Sequence, residues 1–184
     1  MFHRICITCA VALSCCGILA AASIPGLWLD VPFVRQEKDG CGAASIAMVM
    51  QYWELQEGRP RSLNSDAERI QNTLLSPTAH GIFASDMQRY FVQNGYSAFA
   101  FAGDLGMLQH HLQKGRPLIV ALKPGSHQSL HFVVVAGLDR KNELVLVNDP
   151  AERKLLKEDD ARFEQEWRAT GYWTLLAVPK QGGE

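Results

Sequence analysis

An excess of basic charge is missing from this chain: 18 Lys and Arg stand against 19 Asp and Glu, for a formal charge of -1. Proteins held on phosphate backbones carry a cationic surplus, so nucleic acid is not an expected partner. Disorder-prone sequence is also lacking, since 47% of the residues are hydrophobic, 20% are charged, and no low-complexity stretch follows residue 23. No internal repeat is present, which excludes a solenoid. Neither is there a Cys/His group at ligand spacing. His110 and His111 are adjacent and point about 100° apart on a helix, unlike an i, i+4 metal pair, so no metal and no cofactor are expected. What is present is 184 residues, enough for one domain with a sizeable core and short for two.

Cysteine is scarce where it matters. Four of the five, Cys6, Cys9, Cys15 and Cys16, lie in an apolar stretch from Ile5 to Ala22 that follows Arg4, contains no acid and ends in small residues. That pattern is expected to be a secretory signal peptide over residues 1–22, with the domain proper at 23–184. Two alternatives stay open: an uncleaved anchor, because 18 apolar or small residues reach the lower limit of a bilayer span, and lipid attachment at Cys15 or Cys16. The expected location is periplasmic or extracellular, with membrane contact only through this segment. Cleavage leaves 17 basic against 19 acidic residues and a single cysteine, Cys41. In an oxidising compartment it has no disulfide partner in its own chain. It is either a buried small hydrophobe or a nucleophile.

Its neighbours favour the nucleophile. The polar turn Gln36-Glu37-Lys38-Asp39-Gly40 gives way at Cys41 to a run that is small, apolar or weakly polar from Gly42 to Trp53. Such a run predicts a helix buried on all sides, with Cys41 in its first turn. Unpaired N–H groups and the positive dipole end favour thiolate over thiol there, lowering a cysteine pKa from about 8.5. Gly40 and Gly42 are expected to let backbone and substrate approach the sulfur.

A thiolate needs a base, and the base an orienting group. His110 and His111 fall in a helix pattern capped by Asp104 and are expected to be solvated, while His80 and His127 are in loops. His131 differs because it opens the β-branched run Phe132-Val133-Val134-Val135. After a turn at 139–142, a second strand returns and ends in Asn148-Asp149-Pro150. An antiparallel hairpin puts the start of its first strand beside the end of its second, so His131 and Asp149 meet across 18 residues of sequence. Taken singly, each could be only a strand-end polar residue or a turn former.

These residues resemble the bacteriocin-processing cysteine peptidases of family thirty-nine, the papain-like double-glycine leader peptidases. The likeness rests on residues 36–48, on His131-Phe132-Val133-Val134-Val135 and on Asn148-Asp149-Pro150. Looser matches are Asn94-Gly95-Tyr96, Gly115-Arg116-Pro117-Leu118-Ile119-Val120 and Phe163-Glu164-Gln165-Glu166-Trp167 with the Tyr172–Val178 strand. The resemblance implies Cys41 as nucleophile, His131 as base and then acid, Asp149 as the orienting group and Gln36 as oxyanion donor beside the Cys41 N–H. Read without the family, Gln36 is a loop glutamine. Well-known members are domains of ATP-binding-cassette exporters, whereas no Walker-type Gly-x-x-x-x-Gly-Lys-Ser/Thr occurs here. The chain thus resembles stand-alone, exported members, and its substrate need not be a double-glycine leader.

The expected architecture is α+β: a helix bearing the nucleophile, packed on an antiparallel sheet bearing His and Asp. Helices are expected near 41–54, 65–75, 84–94, 104–114 and 157–169, and strands near 97–102, 117–123, 131–138, 143–148 and 172–178. The loops Glu57–Ser65 and Pro124–Leu130 are expected to border the cleft. The expected activity is hydrolysis of a peptide or protein substrate by a monomer. An inactive peptide-binding module or another thiol amidase or acyltransferase are the alternatives.

Overall fold

A computed structural model describes residues 26–125 and 129–180. The 1–22 segment and His127 lie outside the described residues. The chain forms β1 (Leu27–Trp28), α1 (Cys41–Gln56), a short 3-10 turn (Leu63–Ser65), α2 (Ala67–Leu74), α3 (Ala84–Gln93), β2 (Tyr96–Ala102) and α4 (Leu105–Gln113). It continues with β3 (Leu118–Leu122), β4 (His131–Asp139), β5 (Leu144–Asn148), β6 (Leu156–Asp159), α5 (Asp160–Arg168) and β7 (Trp173–Pro179). No described helix is long and apolar enough to cross a membrane.

The strands make one antiparallel sheet in the order β2-β7-β3-β4-β5-β6, and β1 pairs with the far end of β4. Helices cover both faces of its centre, which is why β4 reads as an almost unbroken apolar run. Alternate residues divide between two cores. Phe132, Val134 and Ala136 join Ala43, Ile46 and Ala47 of α1, while Val133 and Val135 join Leu108 and Leu112 of α4 and Phe163 and Trp167 of α5. Each fully buried large apolar side chain stabilises by roughly 1.5–3 kcal/mol.

Helix α1 is buried from Gly42 to Tyr52, as its sequence predicts. Its polar side chains are satisfied inside the protein. Ser45 donates to the Phe132 carbonyl (3.3 Å) and Gln51 to that of Ser65 (2.7 Å), while Glu54 accepts from the Ser65 hydroxyl (2.7 Å) and the Ser62 N–H (3.2 Å). A buried carboxylate is tolerated because these donors replace water.

Three expectations need correction. Residues 157–159 are strand rather than helix: β6 pairs with β5 through Val145↔Glu158 and Leu146↔Lys157, and α5 begins only where Asp159 accepts the Arg162 N–H. The Glu57–Ser65 loop does not border the cleft. It follows the C-terminal end of α1, about 24 Å along the helix from Cys41, and is tied there by Glu54. His111 is half-buried rather than solvated, beside Phe101 with ring centroids 6.2 Å apart. Its burial, aided by Arg116, His110 and Lys114, lowers its pKa and favours the neutral ring.

Candidate active site

Cys41 is the first residue of α1 and is half-buried. The preceding turn is closed by the Gly40 N–H donating to Glu37 O (3.0 Å), and Gln71 of α2 holds it from outside by donating to Lys38 O (2.7 Å). Asp66, Asp104 and Asp159 cap α2, α4 and α5, whereas α1 begins at Gly40 with no side-chain cap and no acid in its first turn. Its N-terminal N–H groups are therefore not claimed by a carboxylate and face whatever negative group occupies the first turn.

The two glycines serve packing rather than substrate approach, a correction to the expectation above. A Cβ on Gly40 would stand 2.7 Å from Gln71 Oε1 and 2.9 Å from Glu37 O, and one on Gly42 would stand 3.2 Å from Ile82 Cβ. Gly40→Ala should therefore lower stability by about 1–3 kcal/mol and slow thiol labelling of Cys41. An unchanged urea midpoint would contradict this.

His131 begins β4 opposite Leu122 of β3, and Asp149 directly follows β5. Their side chains meet at 2.8 Å, Nε2 to Oδ1, with side-chain exposures of 20% and 11%. The same Asp149 oxygen accepts the Ala151 N–H (2.8 Å), and the Asp149 N–H donates to Arg153 O (3.1 Å), so the carboxylate is fixed from two sides. The Cys41 thiol lines the same cleft as the His131 ring. With Nε2 committed to Asp149, Nδ1 is the nitrogen left for it. Burial opposes charge on the ring, but the hydrogen bonds to Asp149 and Cys41 and the charges of both outweigh it, pushing the imidazole up to about 10. Burial likewise raises Asp149, yet His131 and the neighbouring N–H groups hold it below its ordinary value.

Gln36 is brought to the same place by a set of contacts that its own sequence neighbourhood does not announce. Asn148 Nδ2 donates to Val31 O (3.1 Å) and Pro32 O (3.4 Å), and its Oδ1 accepts the Leu155 N–H (2.9 Å). The Gln36 N–H donates to Pro150 O (2.9 Å), and the Arg35 guanidinium donates to Ala151 O and Glu152 O. The segment before α1 is thus stitched to the loop that carries Asp149. Asn148 and Arg35 were missed as site-building residues. The only sequence signal was the Asn148-Asp149-Pro150 triplet.

Gln36, Cys41, His131 and Asp149 line a single cleft of about 500 Å³. Pro124, Ser129 and Leu130 border it as expected, and Leu156, Glu158, Arg162 and Glu166 form a wall from β6 and α5 that the sequence did not foretell. His80 stands at the rim, 3.9 Å from Asp39 and largely exposed. Among the described residues the Gln36 side-chain amide forms no protein hydrogen bond, and its Oε1 is sealed from solvent.

The model of the Peptidase_C39 like family matches residues 28–175, from β1 into β7. The chain belongs to that family. Solved structures agree with this C39-like fold. A Bacillus anthracis protein assigned as a C39-like peptidase superposes with a TM-score of 0.66 at 18% identity, covering 85% of this chain and 99% of that one. A double-glycine motif protease from an AMS/PCAT transporter, in complex with the leader peptide, gives 0.62 at 24% identity over 86% and 100%. The peptidase domain of Streptococcus ComA, a bi-functional ABC transporter of a quorum-sensing pathway, gives 0.62 at 21% identity over 80% and 97%. No curated protein matches the chain. The mixed helix and antiparallel sheet architecture of this C39-like chain is thus that of the papain-like peptidases.

Proposed function

We propose that this C39-like chain is a cysteine peptidase that hydrolyses peptide bonds through Cys41, His131 and Asp149. The observation that carries the reading is the half-buried His131 ring, held at 2.8 Å by Asp149 on one nitrogen and sharing a cleft with the Cys41 thiol. In this mechanism the His131 ring takes the thiol proton and the thiolate attacks the scissile carbonyl carbon. Negative charge develops on the carbonyl oxygen, where the Cys41 N–H and the Gln36 amide donate to it. Losing one such donor costs about 2.7–4 kcal/mol of transition-state stabilisation. The imidazolium then protonates the leaving amine as the C–N bond breaks, leaving a thioester. Water, giving its proton to His131, attacks the thioester and releases the carboxylate and the thiol.

A peptide occupant is supported by the leader peptide bound to the similar transporter protease. A double-glycine leader is one such substrate, and an exported location, periplasmic or extracellular, follows from reading residues 1–22 as a signal peptide. Fractionation of cells producing the full chain tests the location, since recovery in the cytosol would contradict it. Activity is tested by incubating residues 23–184 with internally quenched peptides, including Gly-Gly sequences, and identifying the products by mass spectrometry. New carboxylate and amine termini that Cys41→Ala fails to produce support hydrolysis. A new amide with an added amine would instead indicate acyl transfer, and no turnover would leave a peptide-binding module.

A further inference from the structure

The wall of the cleft opposite α1 contains a carboxyl group that the proposed mechanism does not use. Glu158, on β6, lines the same cavity as Cys41, His131 and Asp149. Its Oε2 is sealed from solvent and has no hydrogen-bond partner among the described residues. The nearby cation on that wall, Arg162, gives its Nε to Glu166 Oε1 at 3.0 Å and makes no hydrogen bond to Glu158. A buried carboxyl oxygen without a donor is costly, by about 1–3 kcal/mol or more when charged. That cost is relieved if the occupant of the cleft brings the missing donor, as in sites that reject analogues lacking the group they bind.

Resting on the peptidase reading, we infer that Glu158 is a specificity-determining residue that receives a cationic group of the peptide substrate, a Lys or Arg side chain close to the scissile bond. An ammonium or guanidinium supplies N–H donors to Oε2 and neutralises the carboxylate. An acidic side chain meets like charge from Glu158, Glu166 and Asp149, and an apolar one leaves Oε2 unpaired. Burial first, and Glu166 next, raise the Glu158 carboxyl above its ordinary value. Arg162 works against them, Asp149 adds to the rise and His131 opposes it. Preference for a cation therefore fades as the pH falls and the carboxyl takes up a proton.

The test uses Glu158→Gln, which keeps the shape and removes the charge, with Glu164→Gln on α5, away from the cleft, as a control of equal net charge. Internally quenched octapeptides are compared in which each position in turn is Lys, Arg, norleucine or Glu. Wild type should prefer Lys or Arg over norleucine by about tenfold in kcat/KM at one position, Glu158→Gln should lose that preference, and Glu164→Gln should keep it. Cleavage without a Lys or Arg preference, or a preference that Glu158→Gln retains, overturns the inference. If no peptide is cleaved, the peptidase reading fails separately and labelling of Cys41 decides. The cationic 2-aminoethyl and the anionic 2-sulfonatoethyl methanethiosulfonates are compared. A drop of about tenfold in their rate ratio in Glu158→Gln supports a cation site, and a ratio unchanged within twofold overturns it.

Discussion

On the proposed mechanism, replacing His131 by Ala should lower kcat/KM for peptide hydrolysis by about 10³-fold or more, because a ring acting as both base and acid is lost as a unit rather than as one contact. The effect appears in kcat more than in KM, since His131 acts on protons in flight. Asp149→Asn keeps the shape but removes the charge, and costs less, about 10²-fold. It also changes the pH profile. Asp149 supplies the first of the interactions that raise the imidazole to about 10, so the alkaline limb of activity should move down toward the ordinary histidine range near 6.5. Stability follows the same sign. A raised folded pKa means that the His131 contribution is complete below about 6.5 and is lost as the pH rises through about 10. Asp149, held below its ordinary value, contributes above the usual carboxylate pKa and loses that contribution as the pH falls through its lowered one. Urea midpoints of wild type and His131→Ala should therefore differ near pH 6 and converge above pH 10. A constant difference across that range would contradict the ion pair.

Replacing Asn148 by Leu destabilises the protein by about 2–4 kcal/mol, although it exchanges a polar residue for an apolar one in the core. Asn148 is fully buried and joins Val31 O, Pro32 O and the Leu155 N–H. Leu leaves those backbone groups without partners, and each such orphan costs about 1–3 kcal/mol. For a domain of this size the melting temperature should fall by roughly 5–12 °C. The consequence for activity exceeds the loss of folded protein at assay temperature, because Asn148 precedes Asp149 and holds the segment that leads to Gln36. Asn148→Asp tests the same bonds, retaining the acceptor for Leu155 and losing the donor to Val31 and Pro32. Melting temperatures within 1 °C of wild type for both variants would contradict this account of the scaffold.

The fold was legible where one physical signal dominates. The all-round apolar run after Cys41 could only be a core helix, and the β-branched run after His131 could only be a strand covered on both faces. The Asp104 cap marked the start of α4 directly. Residues 157–159 were misread because a short strand beside a polar helix start has no periodicity of its own, and its state is decided by pairing with β5. The glycines flanking Cys41 were misassigned because their neighbours, Gln71 and Ile82, come from later in the chain. The juxtaposition of His131 with Asp149 could be derived from hairpin geometry. The placement of Gln36 could not, since it depends on Asn148 and Pro150 reaching back more than a hundred residues. Glu158 was invisible for a similar reason: its importance comes from facing the cleft without a donor, and no spacing in the sequence records that.

The most direct test of the central claim is the rate of Cys41 alkylation by iodoacetamide as a function of pH, on residues 23–184, beside the His131→Ala variant. The account predicts that the wild-type rate stays high well below the roughly 8.5 of a free thiol and that the variant loses this low-pH reactivity. Coincident profiles near the free-thiol value, or a Cys41 that no reagent reaches in either protein, would contradict an activated Cys41–His131 pair.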